Sequence, residues 1–144
     1  MTSNEDKHKA TGGCLCGEVR YELVGSSEWT GYCHCESCRK HTGAPVVAYV
    51  SFPAAQVTWT SGERELYESS PGRFRAFCRN CGTSLTWEVS SGAAWGDREI
   101  VEVHISTLDN PDDFPPTNHC FYRERISWFD TADNLTRYDG APEL

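Results

Sequence analysis

In GEVRYELVG, residues 17 to 25, Val19, Tyr21 and Leu23 alternate with Glu18, Arg20 and Glu22. A period of two with one apolar side predicts a strand half-buried against a core. PVVAYVSF, residues 45 to 52, is rich in β-branched and aromatic side chains and reads as another strand. EIVEVHIS, residues 99 to 106, alternates again. Val101, Val103 and Ile105 share one face, which leaves His104 on the other, expected at the surface or a sheet edge. QVTWTSG and ERELYES, residues 56 to 69, read as the arms of a hairpin around Ser61-Gly62. GRFRAFC and SLTWEVS flank CRNCGT as a second hairpin. NHCFYRE, from Asn118, and ISWFD, from Ile126, read as two weaker strands.

Helical signals are confined to a turn or two after Cys35, stopped by Gly43, and to STLDNPDDF, where Pro111 suits a first helical turn. Short strands punctuated by Gly and Pro predict an all-β protein of antiparallel sheets with little helix. The length of 144 residues fits one domain, expected over residues 12–144 after a disordered polar tail at 1–11. SSGAAWGDRE, residues 90 to 99, is the expected surface loop.

The formal charge of −8 argues against nucleic acid or an anionic membrane as partner, since both need a basic field. The polar start, MTSNEDKHKATGG, lacks the apolar stretch of a secretory signal, and no long apolar run follows. A cytoplasmic location is therefore expected. In a reducing compartment the 8 cysteines read as metal ligands and not as disulfides.

Their order is Cys14-x-Cys16, Cys33-x-Cys35-x₂-Cys38, Cys78-x₂-Cys81 and a lone Cys120. Each short pair supplies half of a tetrahedral site, and the glycine after CRNC and CLC permits a tight turn. Two pairings are open. Cys14 and Cys16 join Cys78 and Cys81, leaving Cys33, Cys35 and Cys38 together, or Cys35 and Cys38 join Cys78 and Cys81, leaving Cys14, Cys16 and Cys33. The first is simpler, because CxCxxC folds around one metal without splitting. Three protein ligands with an open position is the arrangement of catalytic zinc. A closed second site would need Cys120, His119, His41 or His34, although His34, between two ligands, is expected to point away.

GGCLCGEVRYE, CHCESCRKHTGAP and FCRNCGTSLTW, in that order, resemble the glutathione-dependent formaldehyde-activating enzyme family, which includes proteins similar to centromere protein V. The likeness continues through STLDNP and PTNHCFYRERISWFD and spans roughly residues 12 to 140. It implies a β-tent of antiparallel sheets pinned by two zinc ions per chain. Cys14, Cys16, Cys78 and Cys81 match the structural zinc ligands; Cys33, Cys35 and Cys38 match the catalytic ones. It further implies joining of glutathione and formaldehyde to S-hydroxymethylglutathione, a carbon–sulfur lyase reaction run in reverse.

On this reading a zinc-bound thiolate adds to an aldehyde such as formaldehyde. Arg39, Lys40, His41 and Thr42 follow the ligands directly, with Arg39 and His41 the candidates for holding glutathione. Arg20, Arg73, Arg75 and Arg79 are further cations near the motifs. His119 matches a family position. Most of the 5 tryptophans are expected in packing, with one or two walling a pocket at the second cluster. Two competing readings are a non-catalytic module with two structural zinc sites, binding a protein or small ligand, and a zinc–thiolate redox or metal-handling protein.

Overall fold

Strand β2, Arg20–Val24, continues the alternation from Val19, and Val19, Tyr21 and Leu23 are each at most 1% exposed. The structure, a computed structural model, describes residues 8–90 and 98–143. β2 lies between β1, Lys9–Gly13, and β5, Val57–Ser61, in a three-stranded antiparallel sheet. The second sheet has eight strands. In chain order they are β3, Trp29–Cys33; β4, Val47–Pro53; β6, Glu65–Ser70; β7, Arg73–Phe77; β8, Ser84–Val89; β9, Ile100–His104; β10, Asn118–Cys120; and β11, Thr136–Arg137. Their spatial order is β11-β10-β3-β4-β9-β8-β7-β6, antiparallel except where β10 pairs with β3 and β11. The one α-helix among the described residues is α1, Glu36–Thr42.

The core lies between the sheets. Val19, Tyr21 and Leu23 pack against Val50 and Phe52 of β4 and Val101 and Val103 of β9. Burying such side chains stabilises the fold by about 1.5–3 kcal/mol each. Alternation then sends Tyr49, Ser51, Glu102 and His104 to the opposite face of the large sheet. That face is not open to water. α1 lies over it, tied down by the Tyr49 hydroxyl to the Cys38 sulfur at 3.2 Å and by the Ser84 hydroxyl to the His41 carbonyl at 2.9 Å.

Several expectations change. Val57–Ser61 and Glu65–Ser70 do not form a hairpin: β5 pairs with β2 and β6 with β7. The chain changes sheets at Ser61-Gly62, where the Ser61 hydroxyl bonds the Glu18 carbonyl and Gly62 has φ 68°. A Cβ on Gly62 would lie 2.3 Å from that carbonyl, so glycine is needed for the crossing, not for a hairpin turn. Lys9–Thr11, expected within the disordered tail, instead pair with Glu22–Val24, and residues 1–7 of that expectation lie outside the described residues. His104 is 5% exposed, because α1 covers the face it points to. ISWFD is not a strand; it follows a 3₁₀ turn, Tyr122–Glu124. The helix expected at Pro111 is a single 3₁₀ turn, Pro111–Asp113. The hairpin of β7 and β8 around CRNCGT forms as expected. Most of the expected loop at 90–99, with Trp95, lies outside the described residues.

Candidate functional site

The turn CLCG follows β1, and CRNCG joins β7 to β8, so one cysteine pair comes from each sheet. In the first turn the Val19 amide donates to the Cys14 sulfur at 3.2 Å. In the second the Asn80 amide donates to the Cys78 sulfur at 3.4 Å, and Gly82 closes the turn at φ 82°. The sulfurs of Cys14, Cys16, Cys78 and Cys81 all lie within 4.8 Å of one another. Cys14 to Cys16 is 3.6 Å and Cys16 to Cys78 is 3.8 Å. A tetrahedron with zinc–sulfur bonds of about 2.3 Å has edges of about 3.8 Å, whereas a disulfide needs about 2.05 Å. The spacing fits zinc, and all eight cysteines are free.

The second cluster is built by one strand end and one helix start. Cys33 ends β3, between Val47 of β4 and Cys120 of β10. Cys35 caps α1, its sulfur accepting the Cys38 amide at 3.3 Å. Cys38, one turn on, faces the sheet. Gly43, at φ 70°, ends the helix in the left-handed conformation expected of a glycine stop. The sulfurs of Cys33, Cys35 and Cys38 lie mutually within 4.8 Å. This is the simpler of the two pairings that the spacing allowed. Both clusters have the donor set and separation to hold a metal ion.

Charge within this cluster gathers on Cys38. The Cys33 and Cys35 thiols, then the Tyr49 hydroxyl and the Arg75 guanidinium, hold the Cys38 thiol far below its usual range. Contacts with Cys120 push Cys33 up, and contacts with Cys33 push Cys35 up. Cys120 is buried against Cys33 but outside the group of mutually close sulfurs. The other candidate fourth ligands are placed elsewhere. His34 turns away, its Nε2 2.8 Å from His119 Nδ1, and His119 Nε2 lies 3.2 Å from Asp133. The His41 ring lies against His104.

A cavity of about 500 Å³ opens at this second cluster, within the usual range for a small-molecule site. Cys33, Cys35, Cys38 and Cys120 reach it, and no cysteine of the first cluster does. Trp29, Trp87 and Phe121 supply apolar walls; Arg73, Arg75 and Arg98 supply positive charge in an otherwise acidic protein. Arg75 Nη1 reaches the Cys38 sulfur at 3.5 Å, and Arg98 pairs with Glu28.

The expected glutathione contacts, Arg39 and His41, do not line this cavity. Arg39 is spent on structure, donating to the carbonyls of His34 and Glu124 at 3.1 Å each. Arg20 pairs with Asp109 beside the small sheet, and Arg79 is exposed on the CRNCG turn. Sequence reasoning missed Tyr49, Ser51 and Glu102. The signal was present for the last: alternation in EIVEVHIS sets Glu102 and His104 together, opposite the core face.

The sequence profile described as glutathione-dependent formaldehyde-activating enzyme matches residues 9–124. The chain belongs to that family. It is 31% identical over 133 residues to a Schizosaccharomyces pombe protein named "Uncharacterized lyase C29B12.13", covering 88% of this chain and 93% of the relative. A crystal structure of a Rhodobacter sphaeroides protein superposes with a TM-score of 0.55 at 24% identity, covering 72% of this chain and 93% of that one. The latter supports the fold alone. The family and the lyase-named relative support a formaldehyde-activating, lyase-type function. No helix among the described residues is long and apolar enough to cross a membrane.

Proposed function

We propose that this chain is a zinc-dependent carbon–sulfur lyase-type enzyme that adds a thiol to an aldehyde, with glutathione and formaldehyde as substrates. The observation that carries the reading is the difference between the clusters. The four-cysteine cluster joins the two sheets, and none of its cysteines lines the cavity. The three-cysteine cluster opens onto it. Cys33, Cys35 and Cys38 would hold the zinc ion, which would supply a position where a thiol is kept deprotonated.

The chain's own groups do the rest. Tyr49 and Arg75 hold the Cys38 sulfur from two sides. Arg73 and Arg75 face the cavity from β7, where carboxylates of a peptide thiol find positive charge. Trp29 and Trp87 wall off water around the reacting sulfur. In the test, metal-loaded protein accelerates hemithioacetal formation from glutathione and formaldehyde beyond the spontaneous rate, and Cys38→Ser removes the acceleration. Equal rates with and without protein would overturn the reading.

The contact of Cys120 with Cys33 favours one second reading, a closed four-thiolate site with a binding role. Thiol binding to the metal-loaded protein separates the two.

A further inference from the structure

Glu102 is a carboxyl group on the wall of the cavity that makes no ion pair among the described residues. It lies on β9, in register with Ser51 of β4 on one side and Trp87 of β8 on the other, and Trp87 is in turn in register with Arg75 of β7. Ser51, Glu102, Trp87 and Arg75 all line the cavity. The Ser51 hydroxyl donates to Glu102 Oε2 at 2.7 Å. Tyr49, two residues before Ser51 and on the same face, reaches Cys38 from β4, and Arg75 reaches it from β7. β9 and β8 lie between those two strands, so Glu102 sits on a strand between the two residues that grip the Cys38 sulfur.

We propose that Glu102 is the proton-transfer residue of this pocket, taking the proton of the entering thiol and returning it to the alkoxide of the adduct. The role rests on the thiol–aldehyde reading above. The balance closes without a co-reactant. The carboxylate takes the proton from sulfur. The sulfur's electron pair forms the carbon–sulfur bond while the carbonyl π pair moves onto oxygen. The carboxylic acid then protonates that oxygen, and the carboxylate is restored. In the reverse direction the same group takes the hydroxyl proton and returns it to sulfur.

The surroundings suit a group that exchanges protons near neutral pH. Burial pushes the Glu102 carboxyl up to about 7, against the Ser51 hydroxyl, which holds it down; the Cys38 thiolate raises it and Arg75 lowers it. The other charged or titratable groups that line the cavity are the Cys33, Cys35 and Cys120 thiols, Arg73 of β7, Tyr49 of β4 and the Glu28–Arg98 pair. The remaining cavity carboxylate on the described chain, Glu124, is engaged by the Glu36 amide at 2.9 Å.

The test counts protons. Metal-loaded full-length protein is titrated with glutathione at about pH 7.5 by calorimetry in buffers of different ionisation enthalpy. A free thiol with a pKa near 8.5 is mostly protonated there. Wild type releases well under one proton per thiol bound, because Glu102 captures it. Glu102→Gln, which keeps an acceptor for Ser51, releases close to one. Ser51→Ala lies between them, since its Glu102 is already more protonated before binding. The same Glu102→Gln protein loses roughly 100-fold or more in kcat/KM. Equal proton release by wild type and Glu102→Gln overturns the role while leaving thiol binding intact. Failure of wild type to bind glutathione removes the thiol–aldehyde reading, and the role of Glu102 with it; loss of binding in Glu102→Gln alone makes Glu102 a binding group and overturns the proton-transfer role.

Discussion

The Tyr49 hydroxyl donates to the Cys38 sulfur at 3.2 Å, from a side chain that is 1% exposed. Among the described residues no other hydrogen bond holds that hydroxyl. Groups that bond a metal's ligands set its affinity, typically by about 10–100-fold. Tyr49→Phe therefore weakens retention of the second metal by about 10-fold while the first is held as before. Chelator competition, followed as metal released per chain, checks this; loss of both metals together would contradict it.

The two cysteine clusters differ in what they hold together. Cys78 and its partners bridge the sheets, so Cys78→Ser is expected to lose cooperative folding, since metal binding and folding are coupled at such a site. Cys35→Ser loses the second metal but keeps the fold, because serine is itself a favourable helix cap at the position Cys35 occupies. Metal content and thermal melting of the two variants measure the contrast. A Cys78→Ser protein that melts normally with full metal would reverse the assignment.

His104 makes acid stability a second test. Burial, then the neighbouring His41, lowers its pKa from 6.5 to about 3. The neutral ring is thus favoured in the folded state. Its contribution is complete above about pH 6.5 and is lost as pH falls toward 3. Glu102 has the opposite sign: raised from 4.5 to about 7, it contributes below about pH 4.5, and that contribution is lost as pH rises through 7. The two oppose each other between, so a variant is needed to separate them. His104→Phe flattens the acid side of the stability curve, and Glu102→Gln steepens it. Urea denaturation from pH 4 to 8 reads both; parallel curves for wild type and His104→Phe would contradict the burial argument.

Gly12 marks the closest approach between the small sheet and the 3₁₀ turn after β9. A Cβ there would meet the Thr107 carbonyl at 2.6 Å and the Tyr21 hydroxyl at 2.4 Å. Tyr21 is held in place by the Thr107 hydroxyl at 2.7 Å, so neither neighbour yields freely. Gly12→Ala is expected to cost about 1–3 kcal/mol through overpacking. An unchanged denaturation midpoint would show that the turn relaxes.

What the sequence made legible was local. Alternation placed β2 and β9, β-branched and aromatic content placed β4, and the cysteine spacing left two groupings open, of which the sulfurs adopt the simpler. CRNCGT gave a true hairpin because its turn closes on itself, Cys78 amide to Thr83 carbonyl. Ser61-Gly62 looked alike but was not, because the partner of β5 is β2, more than thirty residues earlier in the chain. The two-residue β11 escaped, since it pairs in parallel and leaves no hairpin signature, and β10 is only the first three residues of the longer strand expected from Asn118. His104 was set on the correct face but read as a surface or sheet-edge residue, and Glu102, on that same face, was passed over. Alternation reports two faces, and it does not report that a helix and a C-terminal segment cover the second one. The contacts of Arg39 were hidden for the same reason. Its place after the ligands was plain, but its bonds to His34 and Glu124 are tertiary.

The most direct test of the central claim is a glutathione titration of cobalt-substituted protein, read by visible absorption. Cobalt reports a change of ligand that zinc does not show. The account predicts a saturable spectral change in wild type that persists in Cys120→Ala and is absent from Cys38→Ser. No change in wild type, with a change appearing only in Cys120→Ala, would put Cys120 in the fourth position and contradict an open site.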